Sequence, residues 1–394
     1  GNLIRFVSSH EIGHTLGLRH NMGSSSKTPV EKLRDKTWVE ANGHTASIMD
    51  YARFNYVAQP EDKIAQSGLF PRIGDYDKWA IQWGYTYTGE NDAQEDRKIN
   101  NKWIIDNLSK NPRVWFGGEG RNDDPRAQTE DLGDNSMLAS EYGIKNLKRI
   151  IVNLPEWTKE EGDRYENLSQ MYGQVVGQFS RYMGHVLRNV GGVQETFKSV
   201  EEKGDVYTPT SVATQKQAMQ FFHTQLFTTP KWLLDASILN KFANPVSNER
   251  VQTIQTSILR SLLDKNRLYR ITTSQTRFGA SSYALNEMMD DLRKGLFSDV
   301  SKADIYRRNL QKTFVSQLDE MLNPSSSAAA SAGGIRLGAP SADVENTDVV
   351  SEAKAQLKKL SASLQAAKAS ATEATAVNHI NDLQDRIKQA LDPK

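Results

Sequence analysis

The 394-residue sequence contains no cysteine. That excludes thiolate zinc sites, disulfide frameworks and cysteine nucleophiles together. It leaves the compartment open, because a chain without cysteine folds on either side of a membrane. Charge of one sign is missing too. The 49 basic and 48 acidic residues give a formal charge of +1, and they are spread along the chain. Such a balance makes no electrostatic footprint for nucleic acid or an anionic membrane, so no nucleic-acid partner is expected. No apolar run reaches the roughly 18 residues of a transmembrane helix. The chain is long enough for two or three domains with a sizeable core. It opens on Gly1 rather than Met, and a motif-bearing helix starts almost at once. The expectation is a portion of a longer protein whose upstream catalytic half is missing.

What is present falls into four stretches. Residues 1–90 are rich in Gly, His, Trp and Tyr, and read as the catalytic region. A helix is predicted over 2–16 with its stop at Gly17, a second over 30–42 ending at Gly43, and a third over 75–84. Residues 91–323 read as a mostly helical domain, although 91–140 give no clear pattern. From 141 to 322 the reading is helical throughout. Tyr165, Leu168, Tyr172, Val175, Phe179, Tyr182, Val186 and Val190 mark one long amphipathic helix closed by Gly191 and Gly192. Further helices are predicted around 212–227, 231–242, 248–264, 282–297 and 302–322. Residues 324–346 are a Ser/Ala/Gly-rich linker. Residues 347–394 form a hairpin of two amphipathic helices over 348–369 and 373–391.

Chemistry concentrates in His10-Glu11-Ile12-Gly13-His14-Thr15-Leu16-Gly17-Leu18-Arg19-His20. Residues four apart lie one turn above each other on a helix face, so His10 and His14 can offer two imidazole nitrogens to one ion. A third ligand requires the chain to leave the helix. Gly17 permits that break, since glycine tolerates positive φ, and His20 can then swing back. Three neutral imidazoles leave the fourth zinc position for a water, which is the pattern of a catalytic site. Zinc acidifies that water, and Glu11 beside the first ligand can act as its general base. A chance string is the bland alternative. Fixing three His, one Glu and one Gly together brings chance to on the order of one per ten million positions.

HEIGHTLGLRH resembles the HExxHxxGxxH motif of the metzincin zinc proteases. Downstream, Ser47-Ile48-Met49-Asp50-Tyr51 is similar to their methionine turn. The resemblance implies that Met49 is the hydrophobic floor beneath the histidines, not a ligand. It also implies that Tyr51 lies near the metal and helps stabilise the transition state, with a packing role as the alternative. GDYDKWAIQWG at 74–84 looks like the closing helix of such a domain. This string and the run 124–134 are similar to large secreted bacterial metzincin-like proteases, which implies an extracytoplasmic setting. Asn21 departs from the residues that define several better-known subfamilies.

The fold class expected is therefore mainly α. It comprises the C-terminal half of a metzincin-like catalytic domain, a multi-helix domain and a helical hairpin. The function expected is a zinc-dependent endopeptidase acting on a peptide or protein substrate. A degenerate peptidase that only holds peptide is the alternative, and a zinc hydrolase of another bond is a third. His44 could compete as a ligand, while His185 and His223 read as packing residues and His379 has no partner in view. The acidic stretch 123–134 could take calcium but lacks EF-hand spacing.

Overall fold

A computed structural model describes residues 1–119, 123–245, 250–324 and 346–393. The described residues are mainly helical with one two-stranded sheet. The chain divides into two compact units, Gly1–Asn153 with Gly192–Thr208, and Leu154–Gly191 with Pro209–Lys394.

The first unit opens with helix α1 (Asn2–Thr15), whose only fully buried residues are His10 and Gly13. Its apolar residues Leu3, Ile4, Val7 and Ile12 all lie exposed. Gly17 ends it at φ +85°, a conformation costly to any residue with a Cβ. The continuous helix predicted over 30–42 is a correction. The structure makes a 3-10 turn at Val30–Leu33 and then a separate α2 (Lys36–Asn42). Asp35 is the cause, because its extended backbone and its side chain, accepting from the Trp38 N–H at 3.1 Å, start a helix afresh. After the short α3 (Gln66–Leu69), α4 (Asp75–Tyr85) runs one residue beyond its predicted end.

Residues 93–110, which gave no clear pattern, form α5 (Ala93–Lys110), capped by Asp92. None of its residues is fully buried, so no apolar stripe marked it. Helix α6 (Ser136–Trp157) belongs to the first unit as far as Asn153. A hairpin of β1 (Val193–Glu195) and β2 (Tyr207–Pro209) interrupts the stretch read as helical throughout. Val30, Leu33, Ala52, Val57, Leu132 and Ala139 make a core cluster in this unit. Burying each Val or Leu there contributes roughly 1.5–3 kcal/mol.

The second unit is a helical assembly. Leu168, Tyr172, Val175, Phe179, Tyr182 and Val186 are buried along α7 (Glu166–Leu187), the stripe that the sequence shows. Helix α8 (Val212–Phe222) widens into a π turn at His223–Phe227. Where one helix was expected over 231–242, the structure has a 3-10 turn at Lys231–Leu233 and a short α9 (Ala236–Leu239). Then come α10 (Arg250–Leu262), the unforeseen α11 (Lys265–Phe278), α12 (Leu285–Leu296) and α13 (Ile305–Leu322). Helices α14 (Asp348–Lys368) and α15 (Ala374–Leu391) pack on each other and on α13. The expected linker falls at 325–345 outside the described residues.

Candidate metal centre

Three imidazoles converge between α1, the loop after it and the turn at 47–51. One ring nitrogen from each of His10, His14 and His20 lies within 4.8 Å of the others, the arrangement of a group able to hold one metal ion. His10 Nδ1 donates to the Ile48 carbonyl oxygen and His14 Nδ1 to that of Leu18, both at 2.9 Å. A carbonyl only accepts, so both Nδ1 atoms carry the proton and both Nε2 atoms keep a lone pair. Backbone anchors of this kind orient metal-binding histidines.

His14 Nε2 stands 3.1 Å from His20 Nε2. Two nitrogens about 2.0–2.1 Å from a tetrahedral zinc would be roughly 3.3 Å apart, so the spacing suits a shared ion. His10 is 3 % exposed, and among the described residues its Nε2 has no hydrogen-bond partner. An orphaned lone pair in a buried site is costly unless something binds it. Burial, then the neighbouring His14 and His10, lower the His20 pKa, which favours the neutral donor form.

Below the histidines lies Met49, fully buried. A Cβ built on Gly13 would sit 2.5 Å from Met49 Sδ, so glycine is what lets the helix settle on the sulfur. The turn is fixed by Asp77 of α4, which sequence reasoning gave no role. Its carboxylate accepts from Ser47 Oγ at 2.6 Å and from the Ile48 and Gly74 N–H groups at 2.7 Å. Since the Ile48 carbonyl in turn anchors His10, Asp77 reaches the candidate metal centre through one residue. The available signal was Asp77 three residues after Gly74, a helix-start spacing that says nothing of the longer reach to Ser47. Asp50 is buried beside it, with Ser24 Oγ and the Ser25 N–H donating to its Oδ2 at 2.9 and 2.7 Å. Arg113, also unforeseen, donates to Asp75, Thr28 and the Asn42 carbonyl, tying α4 and the end of α2 together.

Tyr51 stacks on the His10 ring, with centroids 5.1 Å apart, and its hydroxyl is 3.0 Å from His20 Nε2. Glu11 is exposed and faces a groove of about 330 Å³ between Leu3, Phe6 and Val7 on one side and Tyr51, Arg53 and Phe54 on the other. His44 is buried and is not a member of the three-histidine cluster. In the second unit, His379 Nε2 meets Gln311 Oε1 at 2.7 Å, His223 Nε2 donates to the Asp291 carbonyl at 3.1 Å, and His185 is buried on α7. The acidic stretch is engaged by protein groups: Asp124 by Arg126, Glu130 by Arg53 and Asp134 by the Val30 N–H.

Among the described residues no helix is long and apolar enough to cross a membrane. Comparison with curated proteins and with solved structures found no match. A protein-family model described as Met-zincin matches residues 1–304. That family is the metzincin-type zinc metalloproteases, to which the helix-borne histidines and the buried methionine beneath them also belong in kind. The chain is therefore a member of the Met-zincin family.

Proposed function

We propose that this chain carries the zinc centre of an endopeptidase, with His10, His14 and His20 as ligands and Glu11 as general base. The observation that carries the reading is the buried, unpartnered Nε2 of His10 facing the paired nitrogens of His14 and His20. Zinc held there supplies a Lewis acid that polarises the scissile carbonyl and acidifies a water. Glu11, exposed at the groove, takes the proton of the attacking water and returns it to the leaving amine. The Tyr51 hydroxyl is placed to donate a hydrogen bond to the oxygen that becomes negative.

The apolar outer face of α1 supports a second element of the proposal. Leu3, Ile4 and Val7 are 56 %, 73 % and 52 % exposed. A substrate-aligning sheet of the same catalytic domain would cover them and form the opposite wall of the cleft, pairing with an extended peptide. Orientation of reacting groups accounts for about 7–11 kcal/mol of a catalytic barrier, so a wall that aligns the peptide would contribute strongly to turnover. An extracytoplasmic setting belongs to the same reading and rests on the likeness of 10–84 and 124–134 to secreted bacterial proteases.

The test uses the zinc-loaded protein on a mixed peptide library. Glu11→Gln is expected to keep its zinc and lose about 10²–10⁴-fold in rate, since an amide cannot accept the proton. Tyr51→Phe should lose less. His14→Ala should lose the metal. Cleavage by Glu11→Gln at the wild-type rate overturns the mechanism, and equal zinc content in His14→Ala overturns the ligand set. Full zinc with no cleavage by any form would identify a peptide-holding protein instead.

A further inference from the structure

His20 is held differently from the other two histidines. Among the described residues no backbone carbonyl receives a His20 ring N–H, whereas Ile48 and Leu18 serve His10 and His14 in that way. The His20 ring meets only the His14 nitrogen and the Tyr51 hydroxyl among its hydrogen-bond partners. Its position therefore depends on where its backbone is fixed.

That backbone is gripped by the next residue. Asn21 is fully buried. Its N–H donates to the Met49 carbonyl at 3.0 Å, which ties the loop to the turn under the histidines. Its side chain then pairs with a distant segment, Nδ2 donating to the Trp115 carbonyl at 2.9 Å and Oδ1 accepting from the Gly117 N–H at 2.7 Å. One donor and one acceptor facing a carbonyl and an N–H two residues apart is how a strand neighbour pairs, here made by an amide side chain. The pairing continues into the backbone, with the Met22 N–H donating to Gly118 at 2.9 Å. The two chains touch closely enough that a Cβ on Gly117 would lie 2.5 Å from the Gly23 Cα. On the other side of His20, Glu119 pairs with Arg19. The hydrogen bond from Arg19, then the Arg19 and His20 charges and last the His20 backbone, hold the Glu119 carboxyl below its usual range against some desolvation.

We infer that Asn21 is the positioning residue for the third histidine, clamping the His20 backbone between the Met49 carbonyl and the 115–119 segment. The inference rests on the three-histidine zinc site proposed above. It assigns a task to the position where the sequence departs from better-known relatives. An aspartate there would set an oxygen against the Trp115 carbonyl, and a serine would not reach both groups.

The experiment measures zinc affinity of the full chain by chelator competition, together with the visible spectrum of the cobalt-substituted protein. Asn21→Ala should raise the zinc Kd by about 10–100-fold, the usual cost of removing an outer hydrogen bond from a metal site. It should also weaken and shift the cobalt bands as the third nitrogen leaves its place. Leu33→Ala, in the core cluster that contains none of the histidines, should lower the unfolding midpoint and leave both readouts of the folded protein unchanged. Asn21→Asp, nearly the same size but with an oxygen facing the Trp115 carbonyl, should also raise the Kd and decides the matter if Asn21→Ala does not fold. Wild-type affinity and an unchanged cobalt spectrum in Asn21→Ala overturn the inference. So does a spectrum that changes equally in Leu33→Ala. Failure of the zinc site itself is distinguishable, because the wild type would then bind no more zinc than His14→Ala.

Discussion

Asp50 and His44 sit in the same buried neighbourhood and respond to acid in opposite senses. Burial raises the Asp50 pKa to about 7, against the hydrogen bonds from Ser24, Ser25 and Thr45 that pull it down. Burial lowers the His44 pKa to about 3, and Arg72 and Arg113 push the same way. A raised carboxyl contributes stability below its unfolded pKa and loses it as pH rises through about 7. A depressed imidazole contributes stability above its unfolded pKa and loses it as pH falls toward about 3. Between roughly pH 4 and 6.5 the two slopes, each at most about 1.4 kcal/mol per pH unit, oppose one another. Asp50→Asn should therefore make the metal-free protein lose stability with acid more steeply across that window, and His44→Leu should reverse the slope. Urea unfolding at four pH values with a chelator present reads this directly. Parallel curves for wild type and both variants would show that neither group titrates in the fold. At this scale the sequence was most legible where chemistry demands a fixed spacing, as with His10, Glu11, His14 and His20. It was silent on Asp50, Asp77 and Arg113, whose side-chain partners lie between 3 and 85 residues away in sequence and mostly follow no local pattern.

The turn at 47–51 and helix α4 behave as one element because Asp77 joins them. Burial raises the pKa of Asp77, so its surroundings tolerate a neutral group. Ser47 Oγ is able to accept as well as donate, and it can turn to receive an amide N–H. Asp77→Asn should accordingly cost less than about 1.5 kcal/mol. Asp77→Ala leaves three buried donors without an acceptor, at about 1–3 kcal/mol each, and should cost more than about 3 kcal/mol. Chemical denaturation of the metal-free protein measures both, and similar losses in the two variants would refute this account of the turn. Legibility of elements followed the same logic as their burial. Helix α7 was plain because one face is buried and the other wet. Helix α5 has no fully buried residue to print a stripe, and α11 follows α10 so closely that Asp264 had to be recognised as a cap to separate them. The β1–β2 hairpin is two three-residue strands, too short for an alternating pattern.

At the scale of the whole molecule, the three-histidine cluster able to hold a metal ion lies, among the described residues, within one unit, Gly1–Asn153. The elements that hold them come from four separated stretches: α1 and its following loop, the 47–51 turn, α4 and the 115–119 segment. Opening any of these dissolves the site, so a bound ion penalises every such opening by its binding free energy. At a free zinc concentration 100 times the Kd, that linkage is worth about 2.7 kcal/mol, or about a hundredfold in the population of the open form. Unfolding of α13, α14 and α15 against one another leaves the three imidazoles where they are and receives no such penalty. Hydrogen exchange with and without zinc should therefore show slowing of up to about a hundredfold in α1, at 47–51 and at 75–85. Amides of α13 and α15 should exchange at unchanged rates, and His14→Ala should erase the difference throughout. Equal slowing in α13 and α1 would mean that the two units open together. No slowing in α1 would mean that the three histidines hold no ion in solution.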